Sequence, residues 1–460
     1  MKHKFFIVLG LSWLLTGCAT WYQRTAAFQE AVSQGAFERA EKILQKDKKQ
    51  ARNKNKILYY LNQGYIAFML GHYEKSNQAF EIAEQLTEEQ RRQPLTEAAV
   101  LISNPEIRPY RPEDFEVVLI NFYKALNYLQ LNQMEEALVE VRKINLRLQQ
   151  LNDKYPDHKN RYQQDAFAQL LMGLIYDAAG DYNNAFIAYR NAYNTYQNDY
   201  RQNFNLTVPA QLKKDLLRTA FLCGFGEELR QYEREFQEKY QPEPLPSHGS
   251  LVLFWLNGFG PVKTEWGLTF SKIDRGDGVV TFHNEELGLS FPFFWGNGYS
   301  DNDRFSLADV NVIRVVFPKY LERPCAFTQG NIYYQGKNYP LQTAEDINQI
   351  AFKTLHDRMI RELSASLLRV GIKQGIKYAA SKQNEWVGLA VSLTNAFTEK
   401  ADTRNWQTLP YSISYTRIPL QMEENHIELR FSDRQGRQIT QELTVPARGK
   451  QTRFMTHTTL

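Results

Sequence analysis

The chain contains 460 residues, with 55 Lys and Arg against 51 Asp and Glu, so its formal net charge is +4. This length allows two or more domains, and the nearly balanced charge argues against nucleic acid as a partner. No segment beyond the N-terminal signal has eighteen uninterrupted apolar residues, so we predict no transmembrane helix.

The N-terminus has the pattern of a secretion signal. Two lysines among the first four residues precede an apolar run, Phe5–Leu15, that is too short to span a bilayer. The run ends at Leu15-Thr16-Gly17-Cys18, which resembles the signal of a bacterial lipoprotein, whose cysteine sulfur receives a diacylglyceryl group before cleavage. Cysteine suits this reaction because its thiolate is the nucleophile that takes up the lipid. An ordinary signal peptide with an incidental cysteine is the alternative.

We therefore predict a signal peptide over residues 1–17 and a lipid anchor of fatty acyl groups such as palmitate at Cys18. Ala19 stands where an aspartate would resemble an inner-membrane retention signal. This residue favours anchoring in the outer membrane, with the protein facing the periplasm.

A six-residue phrase recurs four times in residues 18–240, beginning at Gly35, Gly71, Asn132 and Gly180. Each copy starts with a Gly or Asn that readily adopts a left-handed turn. An apolar residue follows two positions later, and a small residue follows three further on. Because helical patterns flank every copy, the phrase predicts helix–turn–helix units whose small residues let the two helices approach closely.

The fourth copy resembles a tetratricopeptide repeat, since Gly173 and Tyr176 precede the turn and Tyr189 and Ala192 follow it. The usual tryptophan and closing proline of that repeat are absent. The resemblance implies a tetratricopeptide-like helical array of four or five hairpins over residues 18–240, the last from Leu212 to Tyr240. An irregular helical bundle is the alternative.

In such arrays the first helix of each hairpin lines a concave face. The lining positions are unusually apolar here, and an exposed apolar patch of this size needs cover. We predict that another part of the chain packs on this face, while a groove for an outside helix, peptide or lipid chain is the alternative. The candidate lining residues are Leu58, Leu61, Tyr65, Phe68, Leu119, Phe122, Leu126, Leu129, Phe167, Leu170 and Leu174.

Residues 241–248 form a proline-punctuated linker, after which the pattern changes to short β-like runs. These runs predict a β-rich domain over residues 249–447, followed by a polar tail over residues 448–460. Alternating apolar residues between Ile427 and Val445, interrupted by a turn at Asp433–Gly436, predict a hairpin. The other predicted strands are Leu251–Leu256, Glu265–Ser271, Val279–His283, Leu289–Phe294, Val310–Phe317 and Ile332–Tyr334.

A long helical stretch is predicted over residues 344–399, where apolar residues recur at steps of three and four from Ile347 to Val370. Its other side is basic through residues such as Arg358 and Lys373. We favour a core-facing helix with a solvated basic side, and a basic amphipathic helix lying on anionic lipid is the alternative. The predicted fold class is thus α+β and multidomain: a tetratricopeptide-like array, then a β-rich domain with one long helical insertion.

The sequence contains no recognisable catalytic, phosphate-binding or zinc-binding motif, so we predict no enzyme, metal site or cofactor. His283 and Glu285 lack a completing cluster, and two acidic turns lack the full ligand set of a calcium site. Glu285 and Glu286 are strand neighbours that point to opposite faces, which disfavours a glycosidase pair. Cys223 and Cys325 fall in different predicted domains, so two free thiols are favoured over a disulfide.

Phrases from both halves of the chain resemble a family of uncharacterised bacterial envelope lipoproteins with tetratricopeptide-like N-terminal halves. The resemblance implies a location and an architecture but supplies no catalytic residues. The phrases are Tyr110-x-x-Glu113-Asp-Phe-Glu116, Tyr123-Lys-Ala-Leu-Asn-Tyr128, Glu140-Val-Arg142, Asp165-Ala-Phe167, Asn184-Ala-Phe-x-x-Tyr189-Arg190, Asn257-Gly-x-x-Pro261-Val-Lys263 and Ala401-Asp-Thr-Arg404-Asn-Trp406-x-x-Leu-Pro410.

From these features we expect a noncatalytic outer-membrane lipoprotein, attached to the membrane through Cys18. It would act as a periplasmic scaffold or adaptor that holds cell-envelope protein partners through its helical repeats. The alternative is a cell-wall enzyme that cleaves the glycan or the peptide of peptidoglycan with its β-rich domain.

Overall fold

The computed structural model describes residues 20–92, 108–153, 164–242, 246–274, 279–285, 289–294, 312–358 and 401–460. The predicted signal peptide, Cys18 and residues 359–399 of the predicted helical stretch lie outside these ranges. Within them, no helix is both long and apolar enough to cross a membrane.

The first half of the described chain is a series of antiparallel helices. Their hairpins are α2–α3, α4–α5, α6–α7, α8–α9 and α11–α12. The helices are α1 (Trp21–Arg24), α2 (Ala26–Ser33), α3 (Phe37–Lys46), α4 (Lys56–Met69), α5 (Tyr73–Arg92), α6 (Asp114–Gln130), α7 (Met134–Asp153), α8 (Ala166–Ala178), α9 (Tyr182–Thr195), α10 (Arg201–Asn203), α11 (Ala210–Leu222) and α12 (Gly226–Phe236), with a 3₁₀ turn at Lys48–Arg52 and a π-helical turn at Tyr196–Tyr200.

Every hairpin turns at a residue with positive φ. Gly35, Gly71 and Gly180 have φ of 69°, 73° and 79°, and Asn132 has φ of 62°. Gly224 repeats this geometry in the fifth hairpin, with φ of 73°. Gly adopts this left-handed conformation without steric cost, and Asn tolerates it better than most residues. The recurring phrase therefore marks the hairpin turns, as predicted.

Small residues set the distance between the two helices of a hairpin. A Cβ atom built on Gly64 of α4 would lie 2.6 Å from Phe80 of α5, and one on Gly173 of α8 would lie 2.4 Å from Tyr189 of α9. Ser76 donates a 2.8 Å hydrogen bond from its Oγ to the carbonyl oxygen of Gly64. These glycines therefore let an aromatic ring of the second helix pack directly on the backbone of the first.

The second half of the described chain forms two sheets. One has seven strands in the order β10-β9-β6-β7-β8-β1-β11, and the other has four in the order β4-β3-β2-β5. Neighbouring strands are antiparallel except β1 and β11, which are parallel. The strands are β1 (Ser250–Asn257), β2 (Val262–Asp274), β3 (Val279–Asn284), β4 (Leu289–Phe294), β5 (Val312–Leu321), β6 (Gln329–Tyr334), β7 (Lys337–Asp346), β8 (Ser412–Pro419), β9 (Glu424–Ser432), β10 (Gln438–Pro446) and β11 (Thr452–Thr459).

The seven-stranded sheet is apolar on both faces and is curled. Because side chains alternate along a strand, Phe254 of β1 belongs to the core shared with the helices, whereas its neighbour Trp255 belongs to a second core. The Trp255 ring lies 4.9 Å from that of Phe431 on β9, although three strands separate β1 from β9. Phe431 also stacks on His457 of β11 at 4.9 Å. The sheet therefore curls around its second core.

The segment expected to be a polar tail, residues 448–460, instead contains β11. Its residues Thr452–Thr459 pair in parallel with Ser250–Asn257 of β1. The expectation was wrong because the segment is rich in threonine, which is polar but β-branched and well suited to a strand. The β-rich domain expected over residues 249–447 thus extends through Thr459.

The predicted helical stretch over residues 344–399 also begins later than expected. β7 continues to Asp346, and helix α13 occupies residues 347–358. Strands β7, β8 and β11 were not predicted. The α+β class, with a helical first half followed by a curled sheet, is confirmed.

Candidate functional site

The predicted concave face lies between the helical array and the sheet. All eleven of its candidate residues are buried, with at most 6% of each residue exposed. They belong to one apolar cluster that also contains Phe254, Tyr415 and Trp406 from the second half of the chain. The cluster members predicted from the sequence are Leu58, Leu61, Tyr65, Phe68, Leu119, Phe122, Leu126, Leu129, Phe167, Leu170 and Leu174.

Aromatic side chains of the second half fill this face. Phe254 of β1 meets Phe167 edge-on, with 6.0 Å between the ring centroids. Trp406, in the loop before β8, lies 5.6 Å from Phe80 and 5.7 Å from Tyr123. Ile347, the first residue of α13, is 1% exposed in the same cluster. An outside ligand could enter this face only by displacing these side chains.

A buried charged cluster joins the start of α6 to the second half of the chain. Glu113, which is 4% exposed, accepts hydrogen bonds from Lys263 of β2 and Arg358 of α13. An Arg358 Nη1 to Glu113 Oε2 distance of 2.6 Å marks a close ion pair. Burial would raise the pKa of Glu113, but the two cations outweigh it and lower the pKa to about 2.

Glu116 lies one helical turn further along α6 and is fully buried. It accepts backbone N–H hydrogen bonds from Trp406 at 2.6 Å and from Glu113 at 2.9 Å, and a hydroxyl bond from Tyr110. Burial, and then the negative charge of Glu113, raise the pKa of Glu116 to about 7. This carboxyl group therefore holds the Trp406 loop on the array, but every oxygen is shielded from solvent.

Arg404 of the same loop is 1% exposed and binds two segments of the array. Its guanidinium donates to Asn55 Oδ1 at 2.9 Å and to the carbonyl oxygen of Arg108 at 3.0 Å. Asp402 accepts two further bonds, at 2.8 and 2.6 Å. Thr403, which precedes Arg404, accepts a 2.9 Å hydrogen bond at its Oγ1 from the backbone N–H of Trp21. The loop thus connects the first helix with the start of α4.

A second buried ion cluster joins the sheet to the later hairpins. Arg417 of β8 lies 2.7 Å from Asp177 of α8 and 3.5 Å from Asp215 of α11. Arg218 also pairs with Asp177, and the Tyr189 hydroxyl donates a 2.9 Å hydrogen bond to the Asp177 carboxylate. Burial would raise the pKa of Asp177, but Arg417 and Arg218 lower it below its usual value. The second half of the chain is therefore fixed to the array by charge at two separate places, through β2 of the four-stranded sheet and through β8 of the seven-stranded sheet.

A third cluster lies inside the array. Lys124 of α6, whose side chain is 2% exposed, contacts Glu81 at 2.6 Å, Glu84 at 2.7 Å and Glu140 at 3.0 Å. Burial opposes the ionisation of Glu84, but Lys124 and its other basic neighbours lower the pKa to about 2. These contacts link α5, α6 and α7, so they fix the angle between the second and third hairpins.

Residues with metal-binding or nucleophilic chemistry stand apart from these clusters. Among the described residues, no group of three His, Cys, Asp or Glu side chains could hold a metal ion. His283 Nδ1 shares a 2.8 Å hydrogen bond with Ser290, and Glu285 is exposed. Cys223 and Cys325 are free, half-buried thiols, and burial raises the pKa of Cys325 to about 12. Glu286 lies outside the described residues.

The ion clusters were not predicted from the sequence, although part of their signal was present there. Glu113 and Glu116 in one phrase, Lys263 in a second, and Arg404 and Trp406 in a third carry the family resemblance. The structure brings all three phrases together at one junction. Polar phrases placed between apolar runs were therefore the available signal for a buried junction.

No protein-family model matches the chain, and no curated protein matches it either. BtubC (BKLC) from P. vanneervenii is 16% identical with a TM-score of 0.33, covering 48% of this chain and 82% of that one. Apo RapI is 12% identical with a TM-score of 0.32, and the match covers 45% of this chain and 65% of RapI. MamA is 13% identical with a TM-score of 0.29, and the match covers 45% of this chain and 91% of MamA. At these TM-scores the likeness adds nothing to the helical-repeat fold that the chain's own turns and helix crossings show.

Proposed function

We propose that this chain is a noncatalytic scaffold or adaptor of the cell envelope, anchored in the outer membrane through lipid at Cys18 and facing the periplasm. The observation that supports the proposal most directly is that the buried carboxyl groups with shifted pKa values join two parts of the chain instead of facing a substrate site. Glu113, Glu116 and Asp177 connect the helical array to the second half of the chain and are between 0 and 7% exposed. Their respective partners are Lys263 of β2, the Trp406 loop and Arg417 of β8. The location in the envelope is supported by the resemblance of the sequence to envelope lipoproteins with tetratricopeptide-like N-terminal halves.

A catalytic acid or base must come within hydrogen-bond reach of its substrate. Glu116 has a pKa near neutrality, as such a group would need, yet it is 0% exposed and already accepts bonds from Tyr110, Glu113 and Trp406. A surface groove of about 460 Å³ lies instead on α12, between side chains such as Glu233 and Lys239. The carboxylates and the groove therefore do not form one site.

Buried ion pairs contribute little net stability, but they can select one arrangement of the parts they join. Such fixation suits a scaffold, because partners bound at separate surfaces then keep a constant distance. Since the concave face is filled by Phe254 and Trp406, a protein partner would bind other surfaces of the array or the sheet.

The test uses the mature chain without lipid, residues 19–460, which includes every described residue. Incubated with purified peptidoglycan, it should release no soluble fragment, and crosslinking in the periplasm should capture the same protein partner repeatedly. Release of glycan or peptide fragments by the folded chain would replace the scaffold with the cell-wall enzyme. Because Glu116 is buried and already bonded, we expect Glu116→Gln to behave in this assay as the unmodified chain does.

A further inference from the structure

The start of the described chain is held firmly against the body of the protein. Trp21 is 5% exposed, and its backbone N–H donates to Thr403 Oγ1 at 2.9 Å. Thr20 and Gln23 exchange hydrogen bonds in a capping box that fixes the entry to α1. The polypeptide therefore has a fixed position and direction from Thr20 onward.

This position determines which end of the protein a lipid at Cys18 would hold against a membrane. The orientation rests on the lipid anchor proposed above. Cys18 precedes Thr20 by two residues, so their Cα atoms are separated by at most ~7 Å. A tether this short gives the body little freedom to turn away from the bilayer. The end of the body around Trp21 and Thr403 would thus lie at the lipid surface.

That end carries a concentrated positive charge. Residues 46–56, here called the basic loop, contain six cations and one acid, Asp47. Lys46, Lys48, Lys49 and Arg52 are exposed, and among the described residues none of these four makes an ion pair. The cations of the basic loop are Lys46, Lys48, Lys49, Arg52, Lys54 and Lys56.

Direct contacts place the basic loop beside the fixed N-terminus. Thr403 binds Trp21, and the next residue, Arg404, donates to Asn55 of the basic loop at 2.9 Å. On the other side, the carbonyl oxygen of Lys54 accepts a 2.7 Å bond from the backbone N–H of Tyr110. The tether and the basic loop therefore flank the same two residues, Thr403 and Arg404.

We propose that the basic loop binds anionic phospholipid headgroups, so that this end of the protein lies on the bilayer that holds the anchor. Exposed lysines and arginines next to a membrane tether are the usual basis for recognising anionic lipid, and each strengthens binding about fivefold near an anionic surface. The charge of the whole chain is only +4, so attraction depends on this local concentration. A fixed face against the membrane leaves the opposite end of the array, at α11 and α12, directed into the periplasm.

The test measures binding of the unlipidated chain 19–460 to vesicles of phosphatidylcholine with or without phosphatidylglycerol. We expect binding to the anionic vesicles that weakens as ionic strength rises. A variant with Lys48→Gln, Lys49→Gln and Arg52→Gln should bind roughly 100-fold more weakly, which is about fivefold for each cation. The matched control replaces Lys214, Arg230 and Lys239, which are exposed on the last hairpin, with Gln and should bind as the unmodified chain does.

Equal binding to both kinds of vesicle, or equal loss in the two triple variants, would overturn the proposal. Binding of glycerol phosphate in solution, without binding to either kind of vesicle, would assign the loop to a soluble anion and also overturn the proposal. All six substitutions lie at exposed positions, so unchanged melting curves should show that the variants are folded. Because this chain carries no lipid, the result is independent of whether Cys18 is acylated.

Discussion

The cover on the concave face can be tested by a matched pair of Leu→Ala substitutions. Leu126 of α6 is 0% exposed, whereas Leu146 of the adjacent α7 is 55% exposed. Removing three buried carbons forfeits about 2.4 kcal/mol at ~0.8 kcal/mol each, and the cavity left behind raises the cost further. We expect Leu126→Ala to lower the free energy of unfolding by about 3–5 kcal/mol.

The control, Leu146→Ala, should change the free energy by no more than about 0.5 kcal/mol, because its side chain is mostly in solvent. Urea denaturation of the mature chain without lipid, followed by circular dichroism, provides both numbers. An unchanged stability of Leu126→Ala, together with loss of capture of an envelope partner, would contradict the covered face. That outcome would make the concave face an open binding groove.

Three other changes probe the anchor and the buried charges. Cys18→Ala should accumulate as an uncleaved precursor, and normal cleavage with retention in the outer membrane on fractionation would exclude a lipoprotein. The pKa of Glu116 is raised from 4.5 to about 7, so the folded state binds this proton more tightly than the unfolded state does. The free energy of unfolding should therefore fall by about 3 kcal/mol as pH rises from about 4.5 through 7. Glu116→Gln should remove that slope in urea titrations, and an unchanged slope would show that Glu116 is not its source. Arg417→Met leaves Asp177 and Asp215 buried with less compensation and should lower the free energy of unfolding by on the order of 3 kcal/mol. Arg430→Met removes a cation from a surface pair with Glu428 and should have a much smaller effect. Equal effects of the two substitutions would contradict the role assigned to Arg417.

Local features of the fold were predictable from the sequence. Gly71 and Gly180 marked their turns because a left-handed residue commonly ends a helix where the chain reverses within three residues. The hairpin of β9 and β10 was predicted because Asp433–Gly436 and the flanking alternation are close together in the chain. Each of these signals lies within about twenty residues.

The candidate site was less predictable because its partners are distant in sequence. The apolar positions of the concave face could be predicted, but the identity of what covers them could not. Phe167 contacts Phe254, and Arg417 binds Asp177 across 240 residues. The local sequence around a basic strand residue such as Arg417 looks the same whether its side chain is in solvent or buried against a carboxylate. Long-range pairing of this kind leaves no periodic trace in a single sequence.

The position of β1 in its sheet has a consequence for how the protein is made. β1 lies between β8 and β11, so Ser250–Asn257 pairs with Ser412–Pro419 and with Thr452–Thr459. Both neighbours are synthesised long after it. Until they emerge, the first strand has no partner in its sheet, and the apolar faces of α6 and α8 have no cover. Non-local pairing of this kind is slow and leaves hydrophobic surface exposed to aggregation. Assembly around β1 therefore waits for both Ser412–Pro419 and Thr452–Thr459, and a truncation that removes β11 would leave β1 paired with β8 alone, with its other edge open.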